Sequence, residues 1–203
     1  MTTFYIIRHA DKERGDFYNP QLRHHDQPIS QKGQQEAQKL ESFFSDKPIS
    51  AIYVSAYRRT GQTIEHLAWA YQLTSIVDER LNEIDNGCID GLADEEIQQK
   101  FPQVWNSYVE RTADFRFSEG ETGAEAQKRI VDFLQEKRQQ YSSGNIILVS
   151  HDGLIRLLMC YLMNIPVYKR WNFQLDTCGL MEICYQPDFE AWKLVRFNQI
   201  MRG

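Results

Sequence analysis

Two short apolar runs in this chain each end on a histidine. Phe4-Tyr5-Ile6-Ile7 leads into Arg8-His9-Ala10, and Asn145-Ile146-Ile147-Leu148-Val149 leads into Ser150-His151-Asp152-Gly153. Neither run alternates apolar with polar residues, so each reads as a strand buried on both faces. Strands of that kind belong to a parallel sheet covered by helices on both sides. In open sheets of this type, ligands bind beyond the carboxyl ends of the strands. If both strands lie in one sheet, His9 and His151 meet at that edge despite their distance along the chain.

The intervening sequence supports this architecture. Residues 11–28 are polar and punctuated by Gly15, Pro20 and Pro28, so they read as a long loop. Ser30 is an N-cap for a helix carrying Ala37, Leu40, Phe43 and Phe44, and Pro48 ends it. Residues 49–55 read as a strand, 58–72 as a helix with Ile64, Leu67, Ala68 and Tyr71 on one face, and 75–77 as a short strand. From about 81 to 120 the alternation lapses, with short helices expected near Asp94 and Pro102. At about 40 residues this stretch is too short for a core of its own, so we read it as an insertion covering the cleft. A helix over 121–141, a strand over 145–150, an apolar helix over 154–163 and two terminal strands near 179–185 and 192–197 complete the pattern. The expected fold is a three-layer α/β/α sandwich with a mainly parallel sheet, formed by residues 1–203 as one domain.

The totals exclude several classes. The chain has 203 residues, 28 acids against 23 bases and a net charge of −5. That excess argues against nucleic acid or an anionic membrane as the partner. No apolar stretch approaches the roughly 20 residues of a membrane span. The amino terminus lacks the pattern of a signal peptide. Cys88, Cys160, Cys178 and Cys184 include no C-x-x-C pair and read as reduced thiols of a cytoplasmic protein. A net negative chain can still hold an anion where arginine and histidine cluster in one cleft.

Four places carry that chemistry: Arg8-His9; Ser55-Ala56-Tyr57-Arg58-Arg59-Thr60-Gly61-Gln62-Thr63; Leu81-Asn82-Glu83-Ile84-Asp85; and His151-Asp152-Gly153. They suit phosphoryl transfer, where catalysis is largely positioning plus charge stabilisation. Guanidinium groups match phosphate geometry and stay charged. Helix amino termini add N–H donors and partial positive charge. An unprotonated imidazole nitrogen can attack phosphorus, and a carboxylic acid can protonate the leaving oxygen. Two arginines at the start of a helix oppose its dipole, a local conflict of the kind that marks functional sites.

In order and spacing these elements resemble the histidine phosphatase superfamily, the phosphoglycerate mutase-like group. Arg8-His9-Ala10 fits its opening Arg-His-Gly/Ala, and Pro28-Ile29-Ser30-Gln31-Lys32-Gly33 fits the following helix start. Ser55, Arg59, Gln62 and Thr63 fit Ser-x-x-x-Arg-x-x-Gln-Thr, and Leu81, Glu83 and Gly87 fit Leu-x-Glu-x-x-x-Gly, with Gly91 at a further glycine position. Gly120-Glu121-Thr122, with Arg129 downstream, resembles the Gly-Glu-Ser element, and Ser150-His151-Asp152-Gly153 the final Ser/Thr-His-x-Gly.

The resemblance implies a phosphatase acting on a small phosphorylated substrate through a phosphohistidine on His9, with no metal and no cofactor. Arg8, Arg59 and His151 would hold the phosphoryl oxygens, and Glu83 would be the general acid and base, ahead of Asp85. Asp152, in place of a common glycine, would offer its backbone N–H to phosphate while its carboxylate disfavours highly anionic substrates. The asparagine that many members use as a phosphate ligand is replaced by Gly15. Asn19 or the Arg23-His24-His25 run could reach the site in its stead, although a solvated loop is the plainer reading of the two histidines. A phosphoglycerate mutase, a short-type protein-phosphohistidine phosphatase and a catalytically silent phosphate-binding relative are the alternatives. The physiological substrate and the oligomeric state are not legible.

Overall fold

A computed structural model describes residues 1–201 of the chain. Six strands form one sheet: β1 (Thr2–Arg8), β4 (Ile49–Val54), β5 (Ile76–Val77), β6 (Gly144–Ser150), β7 (Leu180–Gln186) and β8 (Ala191–Gln199). Their order is β5-β4-β6-β1-β7-β8. The first four strands in that order run parallel, and β7 and β8 are antiparallel additions at one side. β1 and β6 are direct neighbours in a register that pairs Arg8 with Ser150. The residues after them, His9 and His151, therefore emerge side by side.

The unalternated strands are buried on both faces because their side chains divide between two cores. Phe4, Ile6, Tyr53, Ile146 and Leu148 face one way and pack on α6 (Gly123–Gln140) and α7 (Asp152–Leu162). Tyr5, Ile7, Ile52, Val54, Ile147 and Val149 face the other and pack on α1 (Gln31–Gln38), α2 (Leu40–Phe44) and α3 (Arg58–Ala70). The expected three layers are present. The helix expected behind Ser30 is split at Lys39, so that Leu40 and Phe44 reach the core from a second short segment.

The two irregular segments sit over the carboxyl ends of the parallel strands. Residues 11–28 contain a small hairpin, β2 (Tyr18–Asn19) against β3 (His24–His25), which composition alone does not disclose. Residues 81–120 contain α4 (Asp94–Lys100) and α5 (Pro102–Glu110), at the two places where helices were expected. The base of that segment is braced from α6. Arg129 donates to the backbone carbonyls of Arg80, at 2.8 Å, and Glu83, at 3.0 Å, and pairs with Glu121 at 2.7 Å. Glu121 in turn accepts the Asp85 N–H.

Candidate active site

His9 and His151 converge as the paired strand ends require. Their ring centroids are 5.2 Å apart, and both are buried, His9 at 6% exposed and His151 at 0%. His9 Nδ1 lies 2.8 Å from the Ala10 carbonyl oxygen, an acceptor only, so Nδ1 carries the proton and Nε2 the lone pair. The carboxyl end of β4 supplies Ser55, whose Oγ lies 2.8 Å from His151 Nε2. Arg59, on the first turn of α3, reaches His151 Nδ1 at 3.1 Å. Its guanidinium lies over the Tyr57 ring at 4.3 Å, and its Nε has no protein partner.

Arg8 points into the same cavity. It donates to the Leu175 carbonyl at 2.5 Å, lies 3.9 Å from an Asp152 carboxylate oxygen, and leaves Nε without a partner. Two guanidinium groups with buried unsatisfied N–H donors at one cavity are placed to receive an anion. Arg59 lines the cavity and Arg58 does not; the Arg58 backbone N–H donates to Asp26.

The remaining motif residues fix the loops around this centre. Thr63 accepts the Ala10 N–H at 2.9 Å and Gln62 accepts the Ile29 N–H at 2.9 Å, tying α3 to both ends of the first loop. Gly33 lets that loop lie against α1, since a Cβ there would meet the Asp11 carbonyl oxygen at 2.1 Å.

Glu83 lines the cavity with Arg8, His9 and Arg59. Its carboxylate accepts the backbone N–H groups of Gly153, at 3.3 Å, and Leu154, at 3.1 Å, at the start of α7. This corrects one sequence expectation: those helix N–H groups are bound to a carboxylate, which the helix dipole favours there. They are not turned toward the phosphate position. The α3 terminus behaves alike, with Asp26 on the Arg58 N–H at 2.9 Å. Asp85, the rival acid, lies at an adjoining pocket against His24 and does not line the main cavity.

Asp152 lines the cavity, and its carboxylate is held 2.9 Å from Arg156. Burial raises its carboxyl group above the ordinary range. His151 is set one layer deeper than expected, fully covered and not itself at the cavity wall.

The plain reading of His24 and His25 as solvated loop residues is overturned. Both line the cavity of about 530 Å³, and Asn19 does not. His24 sits between two carboxylates, Asp85 at 3.2 Å and Asp90 at 3.3 Å. Gly91, with φ +78, is needed beside His25, because a Cβ there would lie 2.6 Å from His25 Nε2. Lys12, Arg14, Tyr57 and Asp90 also line the cavity, and none of them is among the expected site residues. Among the described residues, no group of three or more His, Cys, Asp or Glu side chains is arranged to hold a metal ion.

Burial lowers His9 well below the ordinary imidazole value, and Arg59, Arg8 and Lys12 add to the effect. Burial likewise lowers His151, with Arg59 next. An unfolded chain protonates both near pH ~6.5, so below that value the unfolded state binds more protons and folding weakens. For two such groups the slope approaches about 2.7 kcal/mol per pH unit. His24 is raised, first by its hydrogen bond to Asp90. Its contribution is complete below ~6.5 and is lost as pH climbs through its folded value. Urea midpoints are therefore expected to peak near pH ~6.5 and drop by pH ~5. Equal midpoints at the two values would contradict the buried neutral pair.

The family model for the histidine phosphatase superfamily (branch 1) matches residues 4–200. This chain belongs to that superfamily. Phosphoserine phosphatase 1 of Hydrogenobacter thermophilus is 31% identical over 182 residues, covering 88% of this chain and 84% of its own. A probable phosphoglycerate mutase of Shigella dysenteriae is 28% identical over 195 residues, covering 92% and 86%. Two solved structures share the fold of this histidine phosphatase superfamily member. A putative alpha-ribazole-5'-P phosphatase from Escherichia coli has a TM-score of 0.83 at 19% identity, covering 100% of this chain and 98% of its own. A phosphoserine phosphatase from Entamoeba histolytica, in complex with 3-phosphoglyceric acid, has a TM-score of 0.82 at 21% identity, covering 98% of each chain. Among the described residues, no helix is long and apolar enough to cross a membrane.

Proposed function

We propose that this chain is a phosphatase of small phosphomonoesters that works through a phosphohistidine on His9. Residues 1–203 would act as one catalytic domain, with 81–120 as a wall of the cleft. The observation that carries this reading is the tautomer of His9. Its Nδ1 is tied to the Ala10 carbonyl, so Nε2 offers a lone pair beside two guanidinium groups.

In this scheme His9 Nε2 attacks phosphorus, the ester P–O bond breaks, and Glu83 gives its proton to the leaving oxygen. Water then attacks the phosphohistidine while Glu83 takes its proton, and inorganic phosphate leaves. Arg8 and Arg59 carry the charge on the equatorial oxygens. As Arg59 turns from His151 Nδ1 to the phosphoryl oxygens, His151 behind it and the Asp152 backbone N–H complete the cradle. No step calls on a metal ion or cofactor.

Around the phosphoryl position, the bases Lys12, Arg14, His24 and His25 and the acids Asp11, Glu13 and Asp90 line one cavity. An ester bearing both a carboxylate and an ammonium group has partners there. Phosphoserine carries both, and a relative named a phosphoserine phosphatase is 31% identical, so phosphoserine is the first ester to test. Phosphate release should be measured from phosphoserine, 3-phosphoglycerate and phenyl phosphate. Turnover of none of them, from mildly acid to neutral pH, would favour a silent binding protein. The relative named a probable phosphoglycerate mutase keeps a second reading in view. Besides Glu83, four carboxylates line the cavity, Asp11, Glu13, Asp90 and Asp152, and they speak against retention of a bisphosphate. Isomerisation of 3-phosphoglycerate without phosphate release would establish the mutase. The four thiols, none in a disulfide among the described residues, fit a cytoplasmic location.

The glycine after His151-Asp152 has a specific task in this scheme. A Cβ on Gly153 would lie 2.8 Å from Glu83 Oε1 and 2.9 Å from Ile84 Cδ1, so Glu83 would have to move. Gly153→Ala is expected to lower kcat about a hundredfold with little change in melting temperature. Unchanged kcat would mean that the observed seat of Glu83 is not the working one.

A further inference from the structure

Ser55, Thr60 and His151 are all buried, and their hydrogen bonds can run in only one direction. Thr60 Oγ lies 2.7 Å from the Tyr57 carbonyl oxygen and 3.2 Å from that of Ser55. Carbonyls only accept, so the one hydroxyl proton of Thr60 is committed to them. Ser55 Oγ lies 3.0 Å from Thr60 Oγ, so Ser55 must donate there. Ser55 Oγ also takes the Tyr57 N–H at 3.2 Å. His151 Nε2, 2.8 Å from Ser55 Oγ, must then be the donor. A neutral His151 thus carries its proton on Nε2 and its lone pair on Nδ1, where Arg59 donates at 3.1 Å.

This polarity has a consequence for anion binding. The charged groups acting on His151 are Arg59 on α3, Arg129 on α6 and Lys12 in the first loop, with the His9 ring beside it. The three cations oppose a positive charge on the His151 ring. An oxyanion that draws the Arg59 N–H to itself would leave the Nδ1 lone pair facing negative charge. That arrangement is repulsive unless Nδ1 is protonated, and the anion supplies the field that makes protonation favourable.

We propose that Ser55 and Thr60 fix the tautomer of His151, so that an oxyanion bound by Arg59 brings one proton from solvent to His151 Nδ1. Ser55 and Thr60 are positioning residues, and His151 is a proton-linked anion receptor. The inference rests on the assignment of this site as the phosphoryl site, and its test requires no turnover.

The experiment is calorimetric titration with sulfate, a dianion throughout the neutral range, in buffers of different ionisation enthalpy. Any proton taken up must then enter the protein. Native protein is expected to take up about one proton per sulfate at neutral pH. Ser55→Ala frees the ring to adopt the Nδ1–H tautomer, which can donate to the anion while neutral, so uptake should fall toward zero. Thr60→Val should lower it in the same direction. A role confined to packing would weaken binding without changing the proton count. No uptake by native protein would overturn the proposal, as would undiminished uptake in both variants. Uptake that persists in His9→Ala, which lacks the other lone pair at the cavity, and falls in Ser55→Ala supports it even if no ester is hydrolysed, so its failure and that of the phosphatase assignment are separable.

Discussion

His9→Ala is expected to reduce phosphate release by at least about ten-thousandfold while the protein still folds and binds anions. The loss is large because a covalent route through a phosphohistidine has no substitute within the site. Glu83 is seated on the α7 backbone, and His151 is fully covered, with Arg59 on its Nδ1. The fold should survive because what is removed is one buried neutral ring and its bond to the neighbouring Ala10 carbonyl. The cost of such a change is on the order of 1–2 kcal/mol. Arg8 and Arg59 remain, so sulfate or vanadate should still raise the melting temperature of the variant by preferential binding to the folded state. Activity within about tenfold of native would remove His9 from the nucleophile's role. Loss of both activity and anion-dependent stabilisation would show instead that the variant is misfolded.

Glu83→Gln should separate the two halves of the reaction. The amide is nearly the same size as the carboxylate, and its single oxygen can keep the Leu154 N–H while the Gly153 N–H loses its acceptor. Arg129 still holds the Glu83 backbone carbonyl, so the Leu81–Asp85 loop should keep its place. What is lost is the transferable proton. General acid catalysis typically contributes about a hundredfold to ten-thousandfold, and a loss of that size is expected with alkyl esters, whose leaving oxygens need a proton. A nitrophenyl ester does not need one, so phosphorylation of His9 should stay fast. Hydrolysis of the phosphohistidine still needs a base to take a proton from water. The variant should therefore release close to one equivalent of nitrophenol in a burst and then turn over slowly. Equal losses with alkyl and aryl esters, and no burst, would point away from Glu83 as acid and base.

What could be read from the chain and what could not follow from how far each interaction reaches. The sheet was legible because Phe4–Ile7 and Ile146–Val149 are apolar without alternation, and only burial on both faces explains that pattern. The α6 helix was legible over 121–141, but its start falls at Gly123, where Thr122 and Glu125 cap each other's backbone N–H groups within one turn. The split at Lys39 was not, because Leu40 and Phe44 are drawn into the core by packing against the sheet and α3. Within the site, Arg8, His9, Arg59, Glu83 and His151 were implied by the resemblance of their order and spacing to the family's motifs, and the fold brings all five to one place. The part played by His24 was hidden because its partners, Asp85 and Asp90, lie in a separate segment and pair with it only after folding. The seat of Glu83 on α7 and the need for Gly153 are likewise tertiary facts. The direction of the Ser55–Thr60 hydrogen bonds depends on which atoms meet a carbonyl, which no residue pattern encodes.

In the proposed mechanism His9 Nε2 is the atom that accepts the phosphoryl group. Mixing the protein with a labelled aryl phosphate, quenching in alkali within milliseconds and mapping the label by mass spectrometry tests this directly. The expected result is an acid-labile, alkali-stable phosphate on the peptide containing His9, approaching one per chain in Glu83→Gln and absent in His9→Ala. Label on any other residue, or its persistence in His9→Ala, would contradict the mechanism.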